Sequence, residues 1–120
     1  MLHGRVNPRG EPVVRLSLIS STNRSRSYPA VIDTGFNGTL SLPESLIQRL
    51  GWRWIGYESY EIATGDVVRE KVYVGRVRWS RRIQEVDLVA SHSRDILIGT
   101  RLLQGNRLFI DFRKSRVRIF

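Results

Sequence analysis

Val31-Ile32-Asp33-Thr34-Gly35 is the stretch that decides the fold predicted for this chain. It reads as an apolar strand that ends in a carboxylate, a hydroxyl and a glycine. An aspartate at such a strand end lies at the edge of a core, where neighbouring groups control its acid–base behaviour. Gly35 permits a tight turn and the close approach of another segment, and Thr34 adds a hydroxyl that can hold a backbone group. The stretch occurs once in the chain and can present a carboxylate for acid–base chemistry.

Length and composition limit the classes of protein to which the chain can belong. Its 120 residues predict one domain, residues 1–120, and a hydrophobic content of 41% is typical of a folded globule. The absence of cysteine excludes disulfides and Cys-ligated zinc, and with only His3 and His92 we expect no metal site. We expect His3 to lie in a mobile terminus. Because we find no signal peptide and no long apolar run, we expect a soluble, cytoplasmic protein without a membrane partner.

The chain is strongly basic, with 20 Lys and Arg residues against 11 Asp and Glu and a formal charge of +9. Such a charge promotes attraction to nucleic acids. The basic residues are scattered and form no single block, as shown by Arg24, Arg26, Arg53, Arg81, Arg82, Arg116 and Arg118. A solvated Arg-rich surface is the simpler interpretation, so we expect no nucleic-acid partner. An Arg-rich β-domain that binds nucleic acid remains the alternative.

Short strand patterns separated by turn signals predict an all-β fold. Alternation is clearest where Val14, Leu16 and Leu18 face one side of a strand. The predicted strands cover residues 13–20, 28–33, 39–42, 58–64, 67–77, 83–89, 96–98, 108–112 and 116–120. Thr64-Gly65-Asp66 fits a hairpin turn between two of them. We expect the last strand to pair with a neighbour, and a second subunit is one candidate.

Ser41-Leu42-Pro43-Glu44 predicts the start of one short helix. Ser41 suits the N-cap, Pro43 suits the first turn, and Glu44 has the spacing of a capping box. Gly51 suits the position that follows a helix. The aromatic residues that come next, Trp52, Trp54 and Tyr57, are expected to pack beside this helix, with a peptide-binding ledge as the alternative.

One carboxylate cannot easily serve as both general base and general acid toward a peptide bond. Two carboxylates within hydrogen-bond reach can do so, because like charges at that distance share one proton. This chain has one Asp-Thr-Gly, so the second carboxylate would come from a second copy. A two-fold axis supplies it, since a residue near the axis meets its own counterpart.

The segment 33–39, Asp-Thr-Gly-Phe-Asn-Gly-Thr, is followed later by Ile96-Leu97-Ile98-Gly99, with Leu102 and Leu103 behind it. Together they resemble the retropepsin-like (clan AA) aspartic proteases, and the resemblance covers residues 10–120. It implies an all-β closed barrel with one short helix, active as a homodimer with its cleft on the two-fold axis. It also implies an aspartic-type endopeptidase, a hydrolase of protein or peptide substrates that uses no metal and no organic cofactor.

The resemblance assigns roles to the residues of the Asp-Thr-Gly loop. Asp33 would be the catalytic carboxylate. Thr34 would bond across the dimer axis and hold the two Asp33 groups coplanar, and Gly35 would contact the substrate backbone. The family often has an acidic residue at the position of Asn37 and a basic one at that of Thr100. This chain has neither charge, so the ion pair is absent as a whole and no unpaired charge is left behind.

The resemblance also implies the residues that bind substrate. Asn37 and Gly38 fall where the family binds the substrate main chain, and Leu97 falls where it lines a subsite. A hairpin flap would close over an extended peptide through strand-like hydrogen bonds. The flap residues would be Ile62, Ala63, Thr64, Gly65 and Asp66.

Two other interpretations of these residues stay open. Asp33 also fits a turn residue whose carboxylate accepts backbone N–H groups, a common use of Asp near Gly. A chain with the same fold can serve, without activity, as a peptide-binding or dimerisation module. A monomer would keep every residue named above and would lack the second carboxylate.

Overall fold

Ten strands and two short helices make up the chain, and the computed structural model describes residues 1–120 throughout. The strands are β1 (Leu2–Val6), β2 (Pro12–Ile19), β3 (Ser25–Ile32), β4 (Leu40–Pro43), β5 (Arg53–Glu61), β6 (Val67–Trp79), β7 (Arg82–Ser91), β8 (Leu97–Ile98), β9 (Leu108–Asp111) and β10 (Arg116–Ile119). The helices are α1 (Glu44–Leu50) and the single turn α2 (Thr100–Leu103). Neither of them has the length and apolar composition needed to cross a membrane. The predicted mostly-β chain is confirmed, and α1 is its predicted short helix.

All ten strands belong to one sheet, in the order β5-β6-β7-β4-β8-β3-β2-β1-β10-β9. β6 also pairs with β2, where Leu18 lies opposite Val77. Two pairings are parallel, β3 with β8 and β4 with β7, and the others are antiparallel. The parallel pairings bring the end of β3, which carries Asp33, beside the segment 96–99.

The core lies on one face of the strands because apolar residues alternate with polar ones. On β2, Val14, Leu16 and Leu18 are almost completely buried, while Arg15 between them is exposed. Each buried leucine contributes roughly 2 kcal/mol through removal of apolar surface from water. The same alternation buries Ile32 on β3 and leaves its neighbours on the opposite face, which is the face of the candidate site.

The N-terminus forms a strand, so the prediction of a mobile terminus around His3 is wrong. β1 lies between β2 and β10, with Gly4 opposite Val14 on one side and Val117 on the other. A Cβ atom at Gly4 would collide with the carbonyl oxygen of Val13. Glycine is therefore required for the close approach of β1 to β2.

The last strand pairs within its own chain. β10 lies between β1 and β9, with Val117 opposite Gly4 and Ile110, so both of its hydrogen-bonding edges are occupied. Pairing of β10 with a second subunit, the candidate raised from the sequence, would require one of these neighbours to leave. The two strands at the edges of the sheet are β5 and β9.

Helix α1 begins differently from its local signals and ends as they predict. Ser41 lies within β4, pairs with Leu97 and Val89, and is buried, so its predicted role as N-cap is wrong. The helix begins at Glu44 after Pro43, and no side chain caps its first turn. Gly51 ends it as predicted, with φ of 71° and its N–H donated to the carbonyl of Gln48.

The aromatic cluster after α1 divides into a buried and an exposed part. The Trp52 indole N–H donates to the carbonyl of Ile19 at 2.8 Å, which confirms the predicted packing for this residue. Trp54 and Tyr57 are each 51% exposed, so the packing prediction is wrong for them. A register shift between Trp54 and Gly56 places both rings together on the edge strand, with centroids 5.5 Å apart.

Candidate active site

Asp33 is fixed at the point where β3 leaves the sheet. Its N–H donates to the carbonyl of Ile98 at 2.9 Å, and its carboxylate Oδ1 accepts the N–H of Gly35 at 2.9 Å. The second carboxylate oxygen, Oδ2, takes part in no hydrogen bond within the chain, and the residue is half-buried. One oxygen is thus held by the turn, as expected for Asp near Gly, and the other is free for chemistry.

The loop that follows Asp33 is held by backbone hydrogen bonds to the segment 96–101. Each segment both donates and accepts, so each holds the other in place. The bonds run from Val31 N to Ile96 O, Asp33 N to Ile98 O, Gly99 N to Thr39 O, Thr100 N to Phe36 O, and Arg101 N to Gly38 O, with lengths of 2.8 to 3.1 Å. Backbone geometry therefore sets the position of the Asp33 carboxylate, which is the kind of preorganisation that catalytic groups need.

Gly99 is the point of closest approach between these two segments. A Cβ atom there would collide with the carbonyl oxygen of Gly38 and lie 2.8 Å from the Phe36 ring. The φ of Gly99 is −93°, which any residue can adopt, so space and not backbone conformation requires glycine. Gly38 is itself confined by the Phe36 ring, at 2.6 Å from the position of a Cβ atom.

The predicted residues of the Asp-Thr-Gly loop come together in one exposed turn. Thr34, Gly35 and Asn37 are exposed, and Gly38 is half-buried. The hydroxyl of Thr39 closes the loop by donating to the carbonyl of Asp87 on β7. The chain assembles no group of three or more His, Asp or Glu side chains that could hold a metal ion.

Leu97 lies beside Asp33 on the same face of the sheet. It pairs in parallel register with Val31, so both side chains point to one face. Val31 and Asp33 are two residues apart along the strand, which places them on that face as well. Leu97 and Val31 are half-buried, whereas their neighbours Ile32 and Ile98 are part of the core.

The predicted hairpin turn is present between β5 and β6. Ile62 N–H donates to the carbonyl of Asp66, and Gly65 N–H donates to that of Ile62, each at 2.9 Å. Gly65 has φ of 88°, the left-handed conformation that the turn requires. All five residues of the predicted flap are exposed, and no hydrogen bond joins them to the Asp33 loop within one chain.

The base of this hairpin is tied to α1 by polar contacts that the sequence did not reveal. Lys71 Nζ lies 2.9 Å from Glu44 Oε1, and the Tyr73 hydroxyl donates to the same oxygen at 3.3 Å. The hydrogen bond from Lys71 lowers the pKa of Glu44, and the same bond raises the pKa of Lys71. Both groups are solvent-exposed, so this ion pair positions the hairpin and adds little to stability.

Two solved structures are similar to this chain over most of its length. A retropepsin-like aspartic protease from Rickettsia conorii matches with a TM-score of 0.65 and 16% identity, covering 96% of this chain and 86% of that protein. This chain has a retropepsin-like fold. The EIAV protease, solved with the inhibitor HBY-793, matches with a TM-score of 0.61 and 16% identity, covering 82% of this chain and 89% of that one. No protein-family model matches the chain, and no curated protein matches its sequence.

Within the retropepsin-like fold, the site consists of a fixed aspartate on an exposed loop. At 16% identity the two solved structures establish the fold, and the chemistry rests on this chain's own residues. Those residues are Asp33, the loop that holds it, and the half-exposed Leu97 beside it. The chain contains no second Asp-Thr-Gly that could supply another such aspartate.

Proposed function

We propose that this chain is an aspartic endopeptidase whose active site combines Asp33 from two copies in a homodimer. The observation that carries the proposal is the geometry of Asp33, with Oδ1 held by the Gly35 N–H and Oδ2 free on an exposed loop. A single retropepsin-like domain spanning residues 1–120, closed as a barrel, would present this loop to a second copy across a two-fold axis.

Two such carboxylates can hydrolyse a peptide bond without a metal or an organic cofactor. At close range they share one proton, because both cannot be charged together. The charged Asp33 takes a proton from water, which attacks the peptide carbonyl carbon. The protonated Asp33 of the other copy polarises the carbonyl oxygen. Transfer of a proton to the amine nitrogen then breaks the C–N bond and yields a carboxylic acid and an amine.

Exposure of the loop tip in one chain supports a shared site. Thr34 and Gly35 face solvent, and the Thr34 hydroxyl forms no hydrogen bond within its own chain. Asp33 is not among the residues that line the groove of about 1000 Å³ on the surface of one copy. We therefore assign Thr34 to a hydrogen bond across the axis that holds the two Asp33 groups coplanar. Since β10 is fully paired, the interface would centre on the loop.

The substrate would lie between the loop and the hairpin. Asn37 and Gly38 would bind its main chain, and Leu97 would line an apolar subsite beside Asp33. The exposed flap would close over the peptide and form strand-like hydrogen bonds with it. The flap residues are Ile62, Ala63, Thr64, Gly65 and Asp66.

Sedimentation and activity, measured over the same range of concentrations, test the proposal. We expect a monomer–dimer equilibrium, with peptidase activity per chain falling on dilution in step with the dimer fraction. A chain that is strictly monomeric at micromolar concentration and cleaves no peptide would contradict the proposal and favour a peptide-binding module. If activity per chain stays constant while the dimer dissociates, the shared active site is contradicted.

A further inference from the structure

A groove of about 1000 Å³ lies on the same sheet face as Asp33. Its floor includes Val13 and Val31, which are opposite each other on β2 and β3. Val31 is two residues before Asp33 and points to the same face. Three segments form the walls: β1 with the turn that follows it, helix α1 with Pro43 before it, and residues 91–95.

Four arginines line this groove, namely Arg5, Arg9, Arg49 and Arg94, and we call it the basic groove. All four are exposed. None of them has a carboxylate within salt-bridge distance, since the one salt bridge of the chain joins Lys71 to Glu44. The arginine side chains that donate hydrogen bonds are those of Arg15 and Arg76, and neither of these lines the groove. The guanidinium groups of the basic groove are therefore free to bind a ligand.

The three carboxylates of the basic groove form no salt bridge with these arginines. Glu44 accepts from Lys71, and Glu11 accepts from the Asn7 amide at 3.0 Å. Asp95 also lines the groove. These three negative charges disfavour an uninterrupted phosphate backbone more than a peptide with a few spaced acidic side chains. A guanidinium binds such a side chain in a paired, charge-assisted geometry.

We propose that the basic groove binds the acidic flank of the peptide substrate, so that the enzyme prefers peptides with Asp or Glu residues on one side of the bond it cleaves. The role rests on the proposed endopeptidase function, because the groove borders Val31, which lies two residues before Asp33 on the same face. The apolar floor contacts the peptide between its acidic side chains, and the four arginines bind the carboxylates.

Binding is measured on the Asp33→Asn variant, which is expected to bind the peptide without cleaving it. The probes are two fluorescent peptides with the same apolar centre, one flanked by Glu residues and the other by Gln. We expect the Glu peptide to bind about tenfold more tightly at low salt, with the difference shrinking as salt is added. Adding Arg5→Gln and Arg94→Gln removes two of the four arginines and should reduce the difference. Arg81→Gln with Arg82→Gln removes the same charge from the turn after β6 and the first residue of β7, and the difference should then be unchanged.

Equal affinity for both peptides would overturn the proposed role of the basic groove, as would a preference that the Arg5 and Arg94 replacements leave undiminished in a folded protein. Tighter, equally arginine-dependent binding of single-stranded RNA would also overturn it, in favour of a nucleic-acid site. Cleavage assays on the wild type separate this proposal from the proposed function. Failure to cleave either peptide contradicts the endopeptidase, whereas equal cleavage of both contradicts the groove alone.

Discussion

Asp33→Asn is expected to abolish peptidase activity and to leave the fold and the dimer intact. Asparagine has the same shape, and its amide oxygen can still accept the Gly35 N–H, so the loop should keep its geometry. It cannot take a proton from water or share one with its counterpart. Loss of this acid–base pair should reduce kcat/KM on the order of 10³-fold or more. Digestion of a peptide library by the wild type and the variant, side by side, measures the effect.

A matched control removes a carboxylate from elsewhere on the surface. Asp87 is exposed on β7, and its backbone carbonyl, not its side chain, accepts the Thr39 hydroxyl. Asp87→Asn should therefore retain activity. Sedimentation and melting curves confirm that both variants are folded. Peptide cleavage by pure Asp33→Asn at the wild-type rate would show that Asp33 is not the catalytic carboxylate.

Gly99→Ala is expected to destabilise the chain and to reduce activity together. The new Cβ atom would collide with the carbonyl oxygen of Gly38, which is backbone and cannot rotate away. The loop and the segment 96–101 would have to separate, at a cost of roughly 1–3 kcal/mol in the free energy of unfolding. Since the same hydrogen bonds fix Asp33, its carboxylate would move as well. Urea unfolding and kcat/KM measure the two effects.

Gly105→Ala is the matched glycine control. Gly105 has φ of 81°, and no atom lies within 4 Å of the place that a Cβ atom would take, so the cost there comes from backbone conformation alone. About 1 kcal/mol of stability should be lost, with kcat/KM unchanged. If Gly99→Ala proves as stable and as active as the wild type, the close approach at Gly99 is not what positions Asp33.

The parts of the fold that the sequence predicts well are those with strict local patterns. Alternation identified β2 because the inward residues Val14, Leu16 and Leu18 are apolar, while Arg15 and Ser17 between them are polar. The resemblance to a known family pairs the Asp33 loop with the segment 96–99. The sequence does not reveal the hydrogen bonds between them, because these bonds join residues sixty or more positions apart along the chain.

The failures share a cause, since pairing between distant segments outweighs local signals. β1 was missed because Gly4 interrupts a short pattern, although β2 and β10 hold the strand on both sides. Ser41 has the spacing of a helix cap, yet its pairing with Val89 and Leu97 draws it into β4. The basic groove has no sequence signature, because three separate segments form its walls.

The claim that one active site contains Asp33 from two chains is tested most directly by mixing subunits. Wild type and Asp33→Asn are combined at constant total concentration and left to exchange, and peptidase activity is measured against the wild-type fraction. If only dimers with two intact carboxylates cleave, activity follows the square of that fraction, and an equal mixture retains about one quarter. A linear decline, with about one half retained, would place a complete active site within each chain and contradict the account.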